Sequence, residues 1–191
     1  MYWKIASIVA LTSVAAALPA EAVEADEWIG EVIGMIQEGV LLERTVTYTY
    51  ATIPAIGMPS STITGWFDQL YDEEDPEYFA EVPLRITHEY RHAGHGATEE
   101  YYYTPEGDLV CCVSTVTVYW EGAVTRSDTY YYHTGEFVCC TANGMETDPE
   151  FLTDMLMKAD MRLRQGESLY DLFMEPPVQP PCIFWEDWYA G

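Results

Sequence analysis

Two stretches of the chain nearly repeat each other, and this duplication limits the possible folds more than any other feature. Residues 101–112 read YYYTPEGDLVCC and residues 130–140 read YYYHTGEFVCC. Each copy has three tyrosines, a polar turn that contains a glycine, and a valine followed by two cysteines. A tyrosine-rich strand, a glycine turn and a second strand are typical of a β-hairpin. Because a solenoid needs about three or more repeats, the pattern predicts one sheet with an internal duplication.

The segments around the duplication predict an antiparallel meander. Alternating apolar and polar residues predict strands at residues 84–91, 97–104, 108–120, 126–133 and 136–142. Upstream, residues 44–53 and the stretch STITGWFDQL predict two further strands. The sheet should therefore contain about six or seven strands.

Two amphipathic segments flank the predicted sheet. Apolar residues recur at helical spacings over residues 26–40. Asp148 as N-cap and Pro149 at the first helical position begin a second helix, which Gly166 is suited to end. Because a sheet must bury at least one face, the two helices are its available cover. The predicted fold class is α+β, an antiparallel β-meander with an N-terminal and a C-terminal helix packed on it.

Residues 1–20 have the pattern of a secretory signal peptide. Their apolar run of about 14 residues is shorter than the roughly 20 of a membrane-spanning helix, and Ala17, Ala20 and Ala22 offer cleavage sites. An uncleaved anchor is the alternative. The predicted domains are a signal peptide at 1–20, a single α+β domain at 21–168 and a proline-rich, aromatic tail at 169–191. We expect a secreted or periplasmic protein without a membrane span after cleavage.

The charge balance restricts the possible partners. The chain has 32 acidic residues against 8 lysines and arginines, which gives a formal net charge of -24. Such a surface repels phosphate backbones and anionic lipid headgroups, so we expect neither a nucleic acid nor a membrane surface as partner. An acidic surface suits solubility outside the cytosol, and it can also attract a basic partner or divalent cations.

Residues 88–92 read HEYRH, the spacing of the zinc-peptidase motif HExxH. In those enzymes a helix brings both histidines to one face, and the glutamate activates the metal-bound water. Here the alternation before the motif and the glycines after it predict a strand, in which the Cα atoms of His88 and His92 lie about 13 Å apart. We therefore predict no catalytic residue, no metal ligand and no cofactor. The alternative is a zinc site with Glu89 as base and His88, His92 and His95 as ligands.

The chain has five cysteines, four of them in two adjacent pairs at 111–112 and 139–140. The predicted strand at 126–133 separates these pairs by two strand spacings, or about 9.6 Å, which exceeds the roughly 7 Å Cα limit for a disulfide. We therefore predict no disulfide between the pairs. Each pair should place one thiol inward and one outward, and Cys182 in the tail could reach an outward one.

The tyrosine runs suggest a binding surface. Because side chains of a strand alternate between its faces, each run must place at least one ring outward. Aligned rings could stack on a sugar or hold a partner peptide, which makes Tyr102, Tyr131 and Trp120 the candidate ligand-binding residues. Cross-strand pairing that only stabilises the sheet is the alternative.

The stretches GWFDQL, LRITHEYRHAGHGATEEYYYTPEGDLVCC and DTYYYHTGEFVCC, followed by a helix, resemble a group of uncharacterised secreted bacterial proteins. That group is marked by an N-terminal helix and repeated EEYYYxxGxL hairpins, and a more distant likeness is to MORN-like repeats. The resemblance implies a fold of the predicted kind and no activity. We predict a non-enzymatic binding or interaction module for a protein or glycan ligand. The alternatives are a zinc-dependent metallopeptidase and a purely structural envelope protein.

Overall fold

The computed structural model describes residues 18–49, 60–71, 79–92, 95–118, 124–142 and 149–174. These residues form helix α1 (Ala20–Glu38), a sheet of seven strands and helix α2 (Pro149–Met174). The strands are β1 (Leu42–Thr49), β2 (Ser60–Tyr71), β3 (Phe79–His92), β4 (His95–Tyr103), β5 (Leu109–Val118), β6 (Val124–His133) and β7 (Glu136–Ala142). All neighbours are antiparallel and the order is β1-β2-β3-β4-β5-β6-β7. The predicted α+β fold and the meander are confirmed.

Helix α1 begins at Ala20, earlier than the predicted start at residue 26. The Pro19 carbonyl accepts hydrogen bonds from the Ala22 and Val23 amides, both at 3.1 Å, which starts the helix without a side-chain cap. Gly39 ends it in the left-handed conformation, with φ at 71°, as expected for a glycine C-cap. Residues 1–17 of the predicted signal peptide lie outside the described part of the chain.

Helix α2 begins at Pro149 as predicted, but the prediction that Gly166 ends it is wrong. Gly166 lies where the helix packs tightly against the sheet. A Cβ atom there would stand 2.9 Å from Leu109 Cδ2 and 3.0 Å from Tyr101 Cδ1. The Tyr103 hydroxyl donates a 2.8 Å hydrogen bond to the Gly166 carbonyl. Glycine is therefore required for packing at this position and not for termination.

The last turns of α2 extend the domain beyond the predicted boundary at residue 168. Leu169 and Leu172 are buried, so the apolar face of the helix continues onto the sheet. Residues 175–191, which include Cys182 and most of the predicted tail, lie outside the described ranges. Neither described helix is long and apolar enough to cross a membrane.

Each face of the sheet carries one helix. The side that packs on α1, here called the α1 face, has the buried residues Val82, Leu84, Tyr102, Cys111 and Tyr131. The opposite α2 face has the buried residues Ile63, Ile86, Tyr101, Tyr103, Leu109, Cys112, Tyr130 and Tyr132. The tyrosine runs thus alternate between two cores, and their hydroxyls reach both helices. On the α2 face, Tyr132 donates a 2.8 Å hydrogen bond to the Ala159 carbonyl.

Three register shifts mark one line across the sheet. They fall between Trp66 and Phe67, between Tyr102 and Tyr103, and between Tyr131 and Tyr132. Leu84, Val110 and Val138 are the extra residues that these shifts leave without a Cα partner. In both copies of the duplication the valine of V-C-C therefore forms a β-bulge, and it shares the α1 face with the first cysteine. Bulges bend a strand and increase its twist, so we expect the sheet to bend along this line.

Candidate functional site

The HEYRH segment lies at the end of β3, which confirms the predicted strand. His88 is 1% exposed beneath α2, whereas Glu89 is exposed on the α1 face. The backbones of His92 and His95 pair where β3 and β4 meet, and their side chains lie outside the described part of the structure. The segment therefore lacks the helix that places two histidines and a glutamate of HExxH at one metal ion.

Polar side chains form one row across the α2 face. His88, Glu99, Ser114 and Asp128 are successive cross-strand partners on β3, β4, β5 and β6, and they are called the polar row below. They are 1%, 0%, 5% and 9% exposed. Buried polar groups lower stability unless they are hydrogen-bonded, so the partners of this row decide what it does.

Arg162 of α2 supplies the main partner. Its Nη1 atom lies 2.5 Å from Glu99 Oε1, and its Nη2 atom donates a 3.2 Å hydrogen bond to Ser114 Oγ. Tyr101 donates a 2.7 Å hydrogen bond to the other carboxylate oxygen, and Tyr90 donates a longer one of 3.4 Å to Glu99 Oε1. The carboxylate thus receives donors from the helix and from two strands.

These contacts determine which of the side chains around Glu99 are ionised. Burial alone would raise the pKa of Glu99, but the charge of Arg162 and the hydrogen bond from Tyr101 outweigh it, so the pKa lies below its usual range. Burial and the nearby Glu99 charge raise the pKa of Tyr90 and of Tyr101. Glu99 and Arg162 are therefore an ionised pair, and the two phenols remain protonated donors.

The His88 imidazole is bonded at both nitrogens. Gln165 accepts a 3.3 Å hydrogen bond from Arg162 through Oε1, which leaves its amide nitrogen to face His88 Nδ1 at 3.0 Å. An amide nitrogen can only donate, so Nδ1 accepts and Nε2 carries the ring proton. Nε2 then donates to Ser61 Oγ at 2.7 Å. The ring is a link between β2, β3 and α2.

The polar row acts chemically as an anchor between the sheet and α2. The Glu99 oxygens and the His88 nitrogens all contact other protein side chains, and the row is buried. Among the described residues, no three His, Cys, Asp or Glu side chains are grouped in a way that could hold a metal ion.

The candidate ligand-binding tyrosines lie beneath α1. Tyr102 is 2% exposed and Tyr131 is 5% exposed, so the prediction of outward, accessible rings is wrong. The Tyr102 hydroxyl donates to Glu100 at 2.8 Å, and the Tyr131 hydroxyl donates to Asp26 of α1 at 2.9 Å. The alternation of side chains correctly predicts that these two rings lie on the opposite face of the sheet from the other tyrosines of each run. That face is covered by α1. The third candidate, Trp120, lies outside the described residues.

The strand order confirms the predicted separation of the cysteine pairs. Tyr131 lies between Cys111 and Cys139 in the ladder, and the four described cysteines are free thiols. The predicted outward thiol of the first pair is wrong, because Cys111 and Cys112 are both 0% exposed between the two helices. Burial raises the pKa of Cys140 to about 12, which makes this thiol a poor nucleophile.

Beyond the bulge line, the α1 face carries rows of hydroxyl side chains that the sequence reasoning missed. We call these residues the threonine face: Thr45, Thr47, Thr62, Thr64, Thr87, Thr98, Thr115, Thr117, Thr125, Ser127 and Thr129. Hydroxyls pair across strands between Thr45 and Thr64 at 3.0 Å and between Thr115 and Ser127 at 3.1 Å. The signal was the repeated alternation in TVTYT, STIT and TVTV.

The chain was compared with known proteins. No family model, no curated protein and no solved structure matches it.

Proposed function

We propose that this protein is a non-enzymatic binding module that acts outside the cytoplasm, in the secreted or periplasmic space. One observation carries the proposal. His88 and Glu89 point to opposite faces of one strand, and the His88 imidazole is bonded to Ser61 and Gln165 in the core. The motif that most resembles a catalytic site thus contributes a structural side chain and a separate surface carboxylate.

The alternative of a zinc-dependent metallopeptidase needs His88, His92 and Glu89 around one ion. That arrangement would require β3 to leave the sheet, because it pairs with β2 and β4 through residues 88–91. Extraction of His88 would also break its hydrogen bonds with Ser61 and Gln165. The conformational cost supports the non-enzymatic proposal over the peptidase.

The proposed location rests on the N-terminal sequence and on charge. The apolar segment and the small residues after it have the signal-peptide pattern, and a net charge of -24 suits a soluble extracytoplasmic protein. Ala22 is 0% exposed within α1, which favours cleavage at Ala17 or Ala20 over cleavage at Ala22. The resemblance to secreted hairpin proteins agrees with this location and remains a hypothesis.

A peptidase assay tests the non-enzymatic proposal. Hydrolysis of casein with added zinc is measured for the wild type and for Glu89→Gln, a surface substitution that leaves the fold intact. We expect both proteins to match a buffer control. Zinc-dependent hydrolysis that is lost in Glu89→Gln would overturn the proposal.

A secretion assay tests the location. The full-length chain is expressed in a bacterial host, and the N-terminus of the product in the extracytoplasmic fractions is sequenced. We expect a chain that starts just after Ala17 or Ala20. Recovery of the intact chain from the cytosol alone would contradict the proposed location.

A further inference from the structure

We infer that the threonine face binds an uncharged polysaccharide. This inference rests on the proposed function, because it names the ligand class and the surface of the proposed binding module. The surface is the part of the α1 face that extends from the bulge line toward the ends of β3, β5 and β7.

The threonine face is accessible because α1 lies to one side of it. Buried residues of α1 pack with Leu84, Tyr102, Cys111 and Tyr131, which lie on or beside the bulge line. Among the hydroxyl residues farther from that line, Thr47 and Thr125 are exposed, and Thr62, Thr64, Thr98, Thr115, Thr117 and Ser127 are partly exposed. Hydroxyls from five strands, β1, β2, β4, β5 and β6, thus reach the surface on the same face of the sheet.

The chemistry of the face suits a ligand that is rich in hydroxyl groups. Each threonine hydroxyl donates one hydrogen bond and accepts others, as sugar hydroxyls do, and its methyl group can contact the carbon skeleton of a sugar. Neighbouring strands lie about 4.8 Å apart, and alternate residues along a strand lie about 6.7 Å apart. The face therefore repeats in two directions, which fits a repetitive ligand better than a small one.

The distribution of charged residues on the threonine face favours an uncharged ligand. Across the rows that contain the threonine face, the acidic side chains are Glu89 and Glu100, although the whole chain has 32 acidic residues. Glu100 is paired with Arg85 at 2.7 Å, and Arg91 lies near Glu89. The face is thus close to neutral within a strongly acidic protein. A polyanion would be repelled by the net charge of -24, whereas a neutral chain would not.

Threonine also favours strands, so an ordinary solvated sheet face is the competing explanation. Exposed positions of a soluble sheet, however, usually mix charged residues of both signs, which keep the surface soluble and discourage association. In this acidic protein, one row of cross-strand partners runs from Thr47 on β1 to Ser127 on β6. Glu89 on β3 is the single charged residue of that row. This low density of charge favours a neutral ligand over a charged one.

A binding assay tests the inference. The full-length chain is incubated with insoluble cellulose and chitin as neutral probes and with soluble alginate as a polyanionic probe. The test variant is the double substitution Thr62→Val and Thr115→Val, which removes two hydroxyls while keeping shape and strand propensity. The control is Ser168→Ala, which removes an exposed hydroxyl on α2. Thermal unfolding confirms that each variant folds.

We expect the wild type and Ser168→Ala to bind at least one neutral probe and not alginate. The double variant should bind about tenfold more weakly, the loss expected for two hydrogen bonds of about 1 kcal/mol or less each. Binding to neither neutral probe would overturn the inference, and so would equal binding by the double variant or preference for alginate. None of these outcomes produces zinc-dependent hydrolysis, which is the separate result that would overturn the proposed function.

Discussion

Arg162 and Glu99 form a buried ion pair that joins α2 to the middle of the sheet, with 2.5 Å between Nη1 and Oε1. Arg162 is 6% exposed and Glu99 is 0% exposed. Water is therefore excluded from both charges, and each depends on the other and on neighbouring hydroxyls. Loss of one member leaves a buried charge without its counter-charge, which is far more destabilising than loss of both.

A double-mutant cycle should show this dependence. We expect Arg162→Leu to lower the free energy of unfolding by about 3–5 kcal/mol, because Glu99 then remains buried without its counter-charge. Glu99→Leu should have a similar effect for the converse reason. The double variant should lose less than the sum of the two single variants, as measured by urea unfolding.

Arg164 provides a matched control for this cycle. It lies on the exposed side of α2 and pairs with Asp160 at 2.9 Å. Arg164→Leu should cost less than about 1 kcal/mol, since surface ion pairs contribute little. Strictly additive losses in the Arg162 and Glu99 variants would show that the pair is not coupled.

Glu99 should make stability depend on pH. Its folded pKa is lowered, so its stabilisation is fully present above the unfolded pKa of about 4.3 and is lost as the pH falls through the folded value. We expect the difference in unfolding free energy between wild type and Glu99→Gln to shrink as the pH falls below about 4. Glu89→Gln, on the surface of the same sheet, should show no such change. A difference in unfolding free energy that stays constant as the pH falls would contradict a lowered folded pKa for Glu99.

Alanine substitutions at two glycines should change the stability of the protein in opposite directions. Gly166→Ala should destabilise the protein by about 1–3 kcal/mol, because the new Cβ would stand 2.9 Å from a Leu109 methyl group and 3.0 Å from Tyr101. Gly30→Ala in α1 meets no atom within 4 Å and should stabilise by about 0.5–1 kcal/mol through helix propensity. Thermal unfolding measures both. A neutral Gly166→Ala would mean that α2 lies farther from the sheet.

The cysteines should differ in reactivity. In a Cys182→Ser variant, we expect Cys139 and Cys140, which are both partly exposed, to be alkylated before Cys111 and Cys112, which should react only after unfolding. Mass spectrometry of the alkylated protein gives the order. A disulfide between Cys111 and Cys139 would contradict the meander, because Tyr131 lies between them.

Local patterns were sufficient for the strands and for their order. The alternation around residues 84–91 indicates a strand, and each copy of the duplication specifies two neighbouring strands, because the turns at residues 104–108 and 134–135 are short. The V-C-C bulge could not be predicted, because side chains of a regular strand alternate between its faces, whereas the consecutive residues Val110 and Cys111 lie on the same face. The start of α1 was also missed, because the apolar pattern predicts the helix only from residue 26, whereas α1 begins at Ala20, the last residue of the predicted signal peptide.

The contacts of the polar row could not be derived from the sequence, because the residues of the row and their partners on α2 are distant along the chain. Arg162 follows Ser114 by 48 residues, and Gln165 follows His88 by 77 residues. No periodicity connects such positions, and only the docking of α2 brings them together. The burial of Tyr102 and Tyr131 depends in the same way on α1, which precedes Tyr131 by about a hundred residues.

The most direct test of the account is the NMR spectrum of the His88 ring nitrogens, recorded with and without an equimolar amount of zinc. We predict a protonated Nε2, an accepting Nδ1 and extended-chain backbone shifts over residues 84–91, all unchanged by the metal. A zinc-dependent shift of both His88 nitrogens, together with helical backbone shifts over the same residues, would contradict the account.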